Sequence, residues 1–319
     1  MRILYKYLTP DGIKALQKMT LLASDPASFN DPFEVRPTFD QKRHDFYAKG
    51  HETFHAQHMG FQNSLLGSRS MVGIPAEDAV GFGEQINKLF RDELSRRFRA
   101  LCLCQNPQNT LMWGHYTKSD KGVAHAGLVL GIDVSCSDFP SGIKTDGYRI
   151  SYPPDHSRPK LPLAWYRFPP VESYDLNGNI QYDPNELVES EGGILIPVAE
   201  YRRQVDQAAI DLLTTKAHEW AYESEVRFLY ELTLHKTHLQ FSDGRYFAPI
   251  PPVALREVIL GFNASLDLAE KVVQLFMAGQ IGSPQLFYST FHPYRYEVQK
   301  HATNPDYLLA FYKTIRPSF

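Results

Sequence analysis

The chain has 319 residues, 43% apolar and 22% charged, with 33 Lys plus Arg against 36 Asp plus Glu and a formal charge of −3. That is the balance of a soluble globular protein, and its slight acidity argues against a molecule built around a basic nucleic-acid footprint. Three cysteines, Cys102, Cys104 and Cys136, give no disulfide framework; with no secretory apolar stretch and no run of membrane-spanning length, the expectation is a cytoplasmic protein with no membrane partner.

Residues 2–8 read as a short strand with Ile3, Tyr5 and Tyr7 on one face and Leu4, Lys6 and Leu8 on the other. Thr9-Pro10 marks a helix start, with Thr9 as N-cap and Pro10 at the first position. Thr20–Ala23 is the next short strand. It runs into Ser28-Phe29-Asn30-Asp31-Pro32-Phe33-Glu34, a turn whose Asn and Asp suit local backbone bonds and whose Phe29 and Phe33 are expected to pin it to the core. Such a turn equally suits a binding site.

From about 40 to 100 the chain turns helical and polar. His51, His55 and His58 share a helix face, but the second His falls one residue too late for a zincin motif, so surface histidines are expected and no metal site. Gly60 to Gly83 reads as loop, and Glu84 to Ala100 as helix with Ile86, Leu89, Phe90, Leu94 and Phe98 at core spacing. Arg91, Arg96, Arg97 and Arg99 spread around it as the best candidates for a local phosphate-facing patch. Leu101–Cys104 reads as a buried strand, Gln105–Asn109 as a turn, Thr110–Tyr116 as a short helix and Gly127–Asp133 as another strand. Trp113, His115 and Tyr116 suit stacking on a base or nicotinamide, with His115 able to move a proton near neutral pH; on composition alone the favoured reading has Trp113 and Tyr116 in the core and His115 satisfying a backbone group.

Residues 134–200 are loop-rich and rich in proline, with Tyr148–Tyr152 a strand and Asp155–Pro170 a flap or insertion. Val205–Glu219 reads as a helix delivering the chain to Trp220-Ala221-Tyr222-Glu223-Ser224-Glu225-Val226-Arg227-Phe228. As a strand, this stretch places Trp220, Tyr222, Val226, Phe228 and Tyr230 on one face, broken only by Ser224, and Glu223, Glu225 and Arg227 on the other. Two carboxylates and a guanidinium on a rigid element suit an enzyme that stabilises a positively charged, sugar-derived transition state; an exposed face of an ordinary antiparallel sheet carries the same pattern. Beyond a turn at Ser242-Asp243-Gly244 come a strand over Val253–Gly261, a helix over Leu266–Ala278, a last strand region over Phe287–Val298 and a tail docked by its aromatics. Without repeats or a clear linker, the reading is a single domain over 1–319 with a helical insertion at 40–100 and a loop-rich insertion at 134–200.

Several runs together resemble a bacterial domain-of-unknown-function family, often defence-associated. They are Leu4-Tyr5-Lys6-Tyr7, Ser28–Glu34, Leu111–Tyr116 with Gly122-Val123, Lys216-x-x-x-Trp220-x-Tyr222-Glu223-x-Glu225-Val226-Arg227, and Ile259-Leu260-Gly261. The family's Cys-Phe-Ser strand is here Cys102-Leu103-Cys104, which leaves no hydroxyl at position 104. The arrangement is similar, more loosely, to the ADP-ribosyltransferase superfamily, whose arginine-specific members carry an E-x-E pair matched by Glu223-Ser224-Glu225, although no counterpart of the usual middle-strand Ser or Tyr is seen.

The resemblance implies an α+β fold with an ADP-ribosyltransferase-like split β-sheet core and a helical insertion. It implies an NAD-consuming ADP-ribosyltransferase or NAD glycohydrolase, a toxin or phage-defence effector, with NAD as substrate, a protein or nucleic-acid acceptor, and a regulatory or antitoxin partner. On that reading Glu225 stabilises the oxocarbenium-like state and orients the 2′-hydroxyl, and Glu223 deprotonates the attacking group. Lys6 or Arg227 contacts pyrophosphate, while Tyr7, Trp113 and Tyr116 bracket the nicotinamide, with Tyr5, Asn30, Asp31 and His115 completing the cofactor-binding set. Two other readings stay open. One is a metal-dependent nuclease using His115, Glu223 and Glu225; the other is a nucleotide-sensing or partner-binding module without turnover.

Overall fold

The computed structural model describes residues 1–37, 88, 91–159, 173–174, 180–181, 187–189 and 195–314. The His51, His55 and His58 face, the loop from Gly60 to Gly83, most of the expected helical insertion and residues 160–170 of the expected flap lie outside them. The chain forms two compact units: Met1–Asp31, Ser95–Tyr152 and Lys216–Phe319 make one, and Pro32–Leu94 with Pro153–Thr215 the other.

In chain order the elements are β1 (Ile3–Leu8), α1 (Ile13–Lys18), β2 (Thr20–Ala23), β3 (Phe98–Cys104), α2 (Thr110–Tyr116), β4 (Leu128–Asp133) and β5 (Tyr148–Arg149). In the second unit, β6 (Ser173–Tyr174) pairs with β7 (Ile180–Gln181), β8 (Leu187–Glu189) pairs with β9 (Leu195–Pro197), and α3 (Val198–Leu213) buries Tyr201, Ala208, Ala209, Leu212 and Leu213. The first unit resumes with β10 (Glu225–Glu231), β11 (Gln240–Ser242), β12 (Arg245–Pro249), β13 (Leu255–Leu260), α4 (Leu266–Met277), β14 (Gln285–Phe291), β15 (Val298–Thr303) and α5 (Pro305–Thr314).

The first unit is a mixed α+β structure built on one large mixed sheet of eight strands, ordered β15-β14-β13-β4-β1-β3-β10-β5, beside a small sheet ordered β11-β12-β2. Among the described residues only β13 and β14 run parallel, joined through α4, whose first turn is capped by the Ser265 hydroxyl accepting from the Leu268 amide (3.1 Å). One face of the large sheet carries an aliphatic core that includes Leu4, Leu101, Leu103, Leu128, Leu130, Val226, Phe228 and Val258. The other carries a smaller cluster rich in rings: Tyr5, Tyr7, Cys104, Met112, Trp113, Val129, Ile259, Phe287 and Val298.

Several boundaries differ from the sequence expectation, each for a tertiary reason. Residues 91–97 are helical, but Phe98-Arg99-Ala100 join β3 instead of prolonging the helix, because Phe98 pairs with Glu231 and Ala100 exchanges backbone bonds with Ser24 (2.8 and 2.9 Å). The helix expected over Val205–Glu219 starts at Val198 and ends at Leu213. The strand region at Phe287–Val298 is a hairpin, β14 returning as β15, interrupted around Pro293. Phe33 does not pin its turn to a core; it is 62% exposed. The C-terminal aromatics do dock, with Phe311 and Tyr312 buried and the Tyr312 hydroxyl donating to the Gly261 carbonyl (2.8 Å).

One irregularity places the site. β3 changes partner along one edge: β1 meets it at the single pair Tyr5↔Cys104, and Ser24, just past β2, bridges it at Ala100. The Cys102 carbonyl between them receives the Lys6 ammonium (2.9 Å), which satisfies an acceptor the ladder leaves open. Among the described residues no helix is long and apolar enough to cross a membrane.

Candidate functional site

The site forms where the chain enters β10. The sequence suggests one strand from Trp220 to Tyr230; instead His218–Glu223 is a 3₁₀ turn, Ser224 takes a left-handed conformation (φ 44°), and the strand begins at Glu225. Trp220 and Tyr222 therefore do not belong to the apolar face of β10, which Val226, Phe228 and Tyr230 supply. The left-handed residue turns the backbone so that Glu223, from the turn, and Glu225, from the strand, still converge, although not by strand alternation.

Glu225 and Arg227 lie two residues apart on the face opposite the aliphatic core. The guanidinium grips the carboxylate with two bonds, Nε to Oε1 at 2.7 Å and Nη2 to Oε2 at 2.9 Å, and sits over the Phe29 ring at 4.4 Å. Lys216 bridges the two carboxylates, with Nζ 2.7 Å from Glu223 Oε2 and 3.7 Å from Glu225 Oε2. All four side chains are buried, two positive and two negative. Burial alone would raise the Glu225 carboxyl; Arg227, Lys216 and the Cys102 thiol outweigh it and hold the group down at about 2. Glu225 is thus an ionised group near neutral pH, with both oxygens engaged. Its backbone amide donates to the Tyr152 hydroxyl (3.0 Å), and desolvation pushes that phenol well above its ordinary range.

Glu223 connects the buried charges to the surface. Its Oε1 accepts from the Tyr116 hydroxyl, which in turn accepts from the side-chain amide of exposed Asn30 (2.9 Å). Burial, followed by the contact with Glu223, drives the Tyr116 phenol far up, so Tyr116 is a fixed donor. Around this point are ring side chains of α2 and the 3₁₀ turn. His115 is exposed, with its ring 6.2 Å from that of Tyr222; Tyr222 lies 6.0 Å from Trp220, over which Lys216 Nζ stands at 4.6 Å. Asn109 fastens the two elements: its side chain caps α2 by accepting from the Met112 amide (3.1 Å) and donates to the Tyr222 carbonyl (2.7 Å).

Of the residues singled out in the sequence, Glu223, Glu225, Arg227, Asn30 and Tyr116 come together, with His115 at the rim. Trp113 does not reach the rim. It is 0% exposed, its indole N–H donates to the Pro107 carbonyl (2.8 Å), and it packs on Tyr7 and His125, so it supports the site as a core residue. Tyr7 is also inside, its hydroxyl donating to the Asn106 carbonyl (2.9 Å) and accepting from the Asn109 amide (3.3 Å). Tyr5 is buried, burial and the Glu257 carboxylate raising its phenol to about 12; Asp31 is buried in the same unit. Lys6 is spent on the Cys102 carbonyl, and Arg227 is 1% exposed and locked to Glu225, so neither presents a cation to a pyrophosphate. Arg97 and Arg99 of the proposed phosphate-facing patch are likewise paired, with Glu231 (2.9 Å) and Asp25 (3.7 Å).

Sequence reasoning gave no role to Lys216 or Tyr152. Lys216 enters the sequence reading only as the first residue of the Lys216-x-x-x-Trp220 run, seven residues before Glu223, a spacing without meaning until the 3₁₀ turn folds it back. Among the described residues no group of three or more His, Cys, Asp or Glu side chains is arranged to hold a metal ion. No family model, no curated protein and no solved structure matches the chain.

Proposed function

We propose that this protein is an NAD-consuming enzyme, an ADP-ribosyltransferase or NAD glycohydrolase, with the Glu223–Glu225 pair at its reacting centre. One observation carries the reading: two buried carboxylates share a single lysine, and the hydrogen-bond chain from Glu223 through Tyr116 to Asn30 ends at the surface. Burying four charges is expensive, several kcal/mol per ion before their attraction is counted, and pure stability is served as well by apolar packing. Clusters of buried ionisable groups of this kind recur at sites that do chemistry.

The chemistry fits the donor set in part. Cleaving a nicotinamide–ribose bond sends the bonding pair to the ring nitrogen and leaves positive character at the anomeric carbon, which a nearby carboxylate stabilises. The acceptor then adds at that carbon and gives its proton to a carboxylate. On this reading Glu223, linked to the surface through Tyr116 and Asn30, faces the sugar; Glu225, already matched by Arg227, anchors Lys216 beside it. A flat ring would lie against His115, Tyr116 and Tyr222, in place of the Tyr7–Trp113–Tyr116 bracket, and the pyrophosphate would be held by groups other than Lys6 and Arg227. The acceptor is a protein, a nucleic acid or water, and the biological setting implied by the resemblance is a toxin or phage-defence effector.

The closed hydrogen-bond network also favours a second reading, a nucleotide-sensing module that binds without turnover. Incubation of the purified protein with NAD, alone and with bacterial lysate, separates the two. Free nicotinamide is expected, and stimulation by lysate indicates a macromolecular acceptor. NAD binding by calorimetry without release selects the sensing module; neither binding nor release removes both readings.

A further inference from the structure

The chain leaves the sheet unit after Tyr152 and re-enters it at Lys216. The two residues at these ends, far apart in sequence, both contact the segment that carries the carboxylate pair. Tyr152 accepts the Glu225 amide with its hydroxyl (3.0 Å), and Lys216 places its ammonium between Glu223 and Glu225. The ends are fastened to each other by backbone: the Lys216 amide donates to the Ser151 carbonyl (3.0 Å), and the His218 ring bonds the Tyr152 carbonyl (3.2 Å). One residue earlier, the Ile150 amide donates to the Glu225 carbonyl (3.1 Å), so this closed stem is continuous with the β5–β10 ladder.

We propose that Lys216 is the positioning residue of Glu223, and that its placement depends on closure of the stem formed by Ser151–Tyr152 against Lys216–His218. The assignment of catalysis to Glu223 rests on the reading above; the positioning itself rests on geometry. Glu223 is the buried last residue of a 3₁₀ turn, and its two oxygens are oriented by two donors, Tyr116 on Oε1 and Lys216 on Oε2. Lys216 is the deeper of these, 3% exposed, its ammonium over the Trp220 ring and its backbone held by Ser151. Removing its charge leaves two buried carboxylates facing one guanidinium, an imbalance that proton uptake relieves. Replacing Lys216 therefore both releases Glu223 and changes the charge state of the pair.

The test compares wild type, Glu223→Gln, Lys216→Met, their double variant, Lys216→Arg and His218→Ala, each shown folded by its melting curve. For nicotinamide release, Glu223→Gln and Lys216→Met are each expected to lower kcat by about 100-fold, the scale of a positioned acid–base group. KM stays within about twofold, and the double variant loses no more than the worse single variant, as expected of groups that act as one unit. Lys216→Arg restores at least about a tenth of the kcat, because it returns the charge, and His218→Ala, which removes the ring bond to the Tyr152 carbonyl, lowers kcat by about 10-fold through the stem. Losses that multiply, or a Lys216→Met enzyme with wild-type kcat, overturn the proposal; a His218→Ala enzyme with unchanged kcat overturns its stem component.

A readout without NAD keeps the positioning separable from the NAD reading. Isotope-edited infrared spectra of the glutamate carboxyls at neutral pH are expected to show one protonated carboxyl more in Lys216→Met than in wild type or Lys216→Arg. Equal spectra overturn the positioning claim even where wild type releases no nicotinamide. Should Lys216→Met fail to fold, Lys216→Gln, which keeps a donor toward Oε2 without the charge, takes its place with the same expected readings.

Discussion

β4 and β10 occupy the same sheet and are buried to the same degree, yet they are made of different material. Every residue of β4 from Leu128 to Asp133 is buried, and the run is apolar on both faces as far as Ile132. Every residue of β10 from Glu225 to Tyr230 is buried too, but one of its faces carries a carboxylate and a guanidinium. β4 achieves burial by shape: at Gly131 an added Cβ would come within 2.9 Å of the Glu257 Cβ and 3.0 Å of Tyr5 Cε1, so the strand yields its side chain to its neighbours. β10 achieves it by pairing, with each charge answered inside the fold. A continuous apolar run is one way to fill the middle of a sheet, and a balanced set of ions is a costlier one that leaves a site behind.

The largest expected effect comes from breaking the pairing. Arg227→Met leaves Glu225 buried without its guanidinium and is expected to destabilise the protein by about 3–5 kcal/mol in urea unfolding. Leu130→Ala in β4, a cavity in the aliphatic core, is expected to cost about 2–5 kcal/mol. The two strands differ in how they are repaired. Glu225→Met combined with Arg227→Met, which gives β10 the character of β4, is expected to be more stable than Arg227→Met alone. A double variant less stable than the single one would show that the pair is needed for folding itself.

How much of this was legible follows from the same contrast. β1, β2, β4, β13 and α4 are visible in the sequence because alternation, helical spacing and caps act locally. The pairing of Glu223 with Glu225 was also visible, but for a reason that fails. Alternation was counted through Ser224, whereas the residue that breaks the apolar pattern is the one in the left-handed conformation. Read as a break and not as a gap, Ser224 marks the strand start. Lys216 and Tyr152 could not be found in this way, since 63 positions separate them along the chain and only the stem brings them to one place. Trp113 reads two ways for a simpler cause: a ring in the middle of a short helix looks the same in sequence whether it faces solvent or the core.

A smaller effect sharpens the comparison through pH. Glu225 sits at about 2 in the fold against an ordinary 4.5, so its folded value is depressed. Its stabilisation is present above the ordinary value and is lost as pH falls from about 4.5 toward about 2. The urea midpoint of wild type is expected to drop across that window, and the Glu225→Met/Arg227→Met variant to show a shallower fall. Parallel curves would place the acid sensitivity elsewhere. Smallest is Tyr116→Phe, which removes one donor to Glu223 and leaves Lys216 in place; about 1–2 kcal/mol of stability is expected to be lost, measured by the same unfolding.

The central claim is that the buried charges form a reacting site and not a filler, and Glu223→Gln tests it most directly. Unlike a change at Glu225, it leaves Arg227 its partner and Lys216 a carboxylate at 3.7 Å. Nicotinamide release from NAD is to be measured for wild type and Glu223→Gln at equal folded fraction. The account predicts release by wild type that falls by about 100-fold in the variant; equal release by both proteins, or none by wild type, would contradict it.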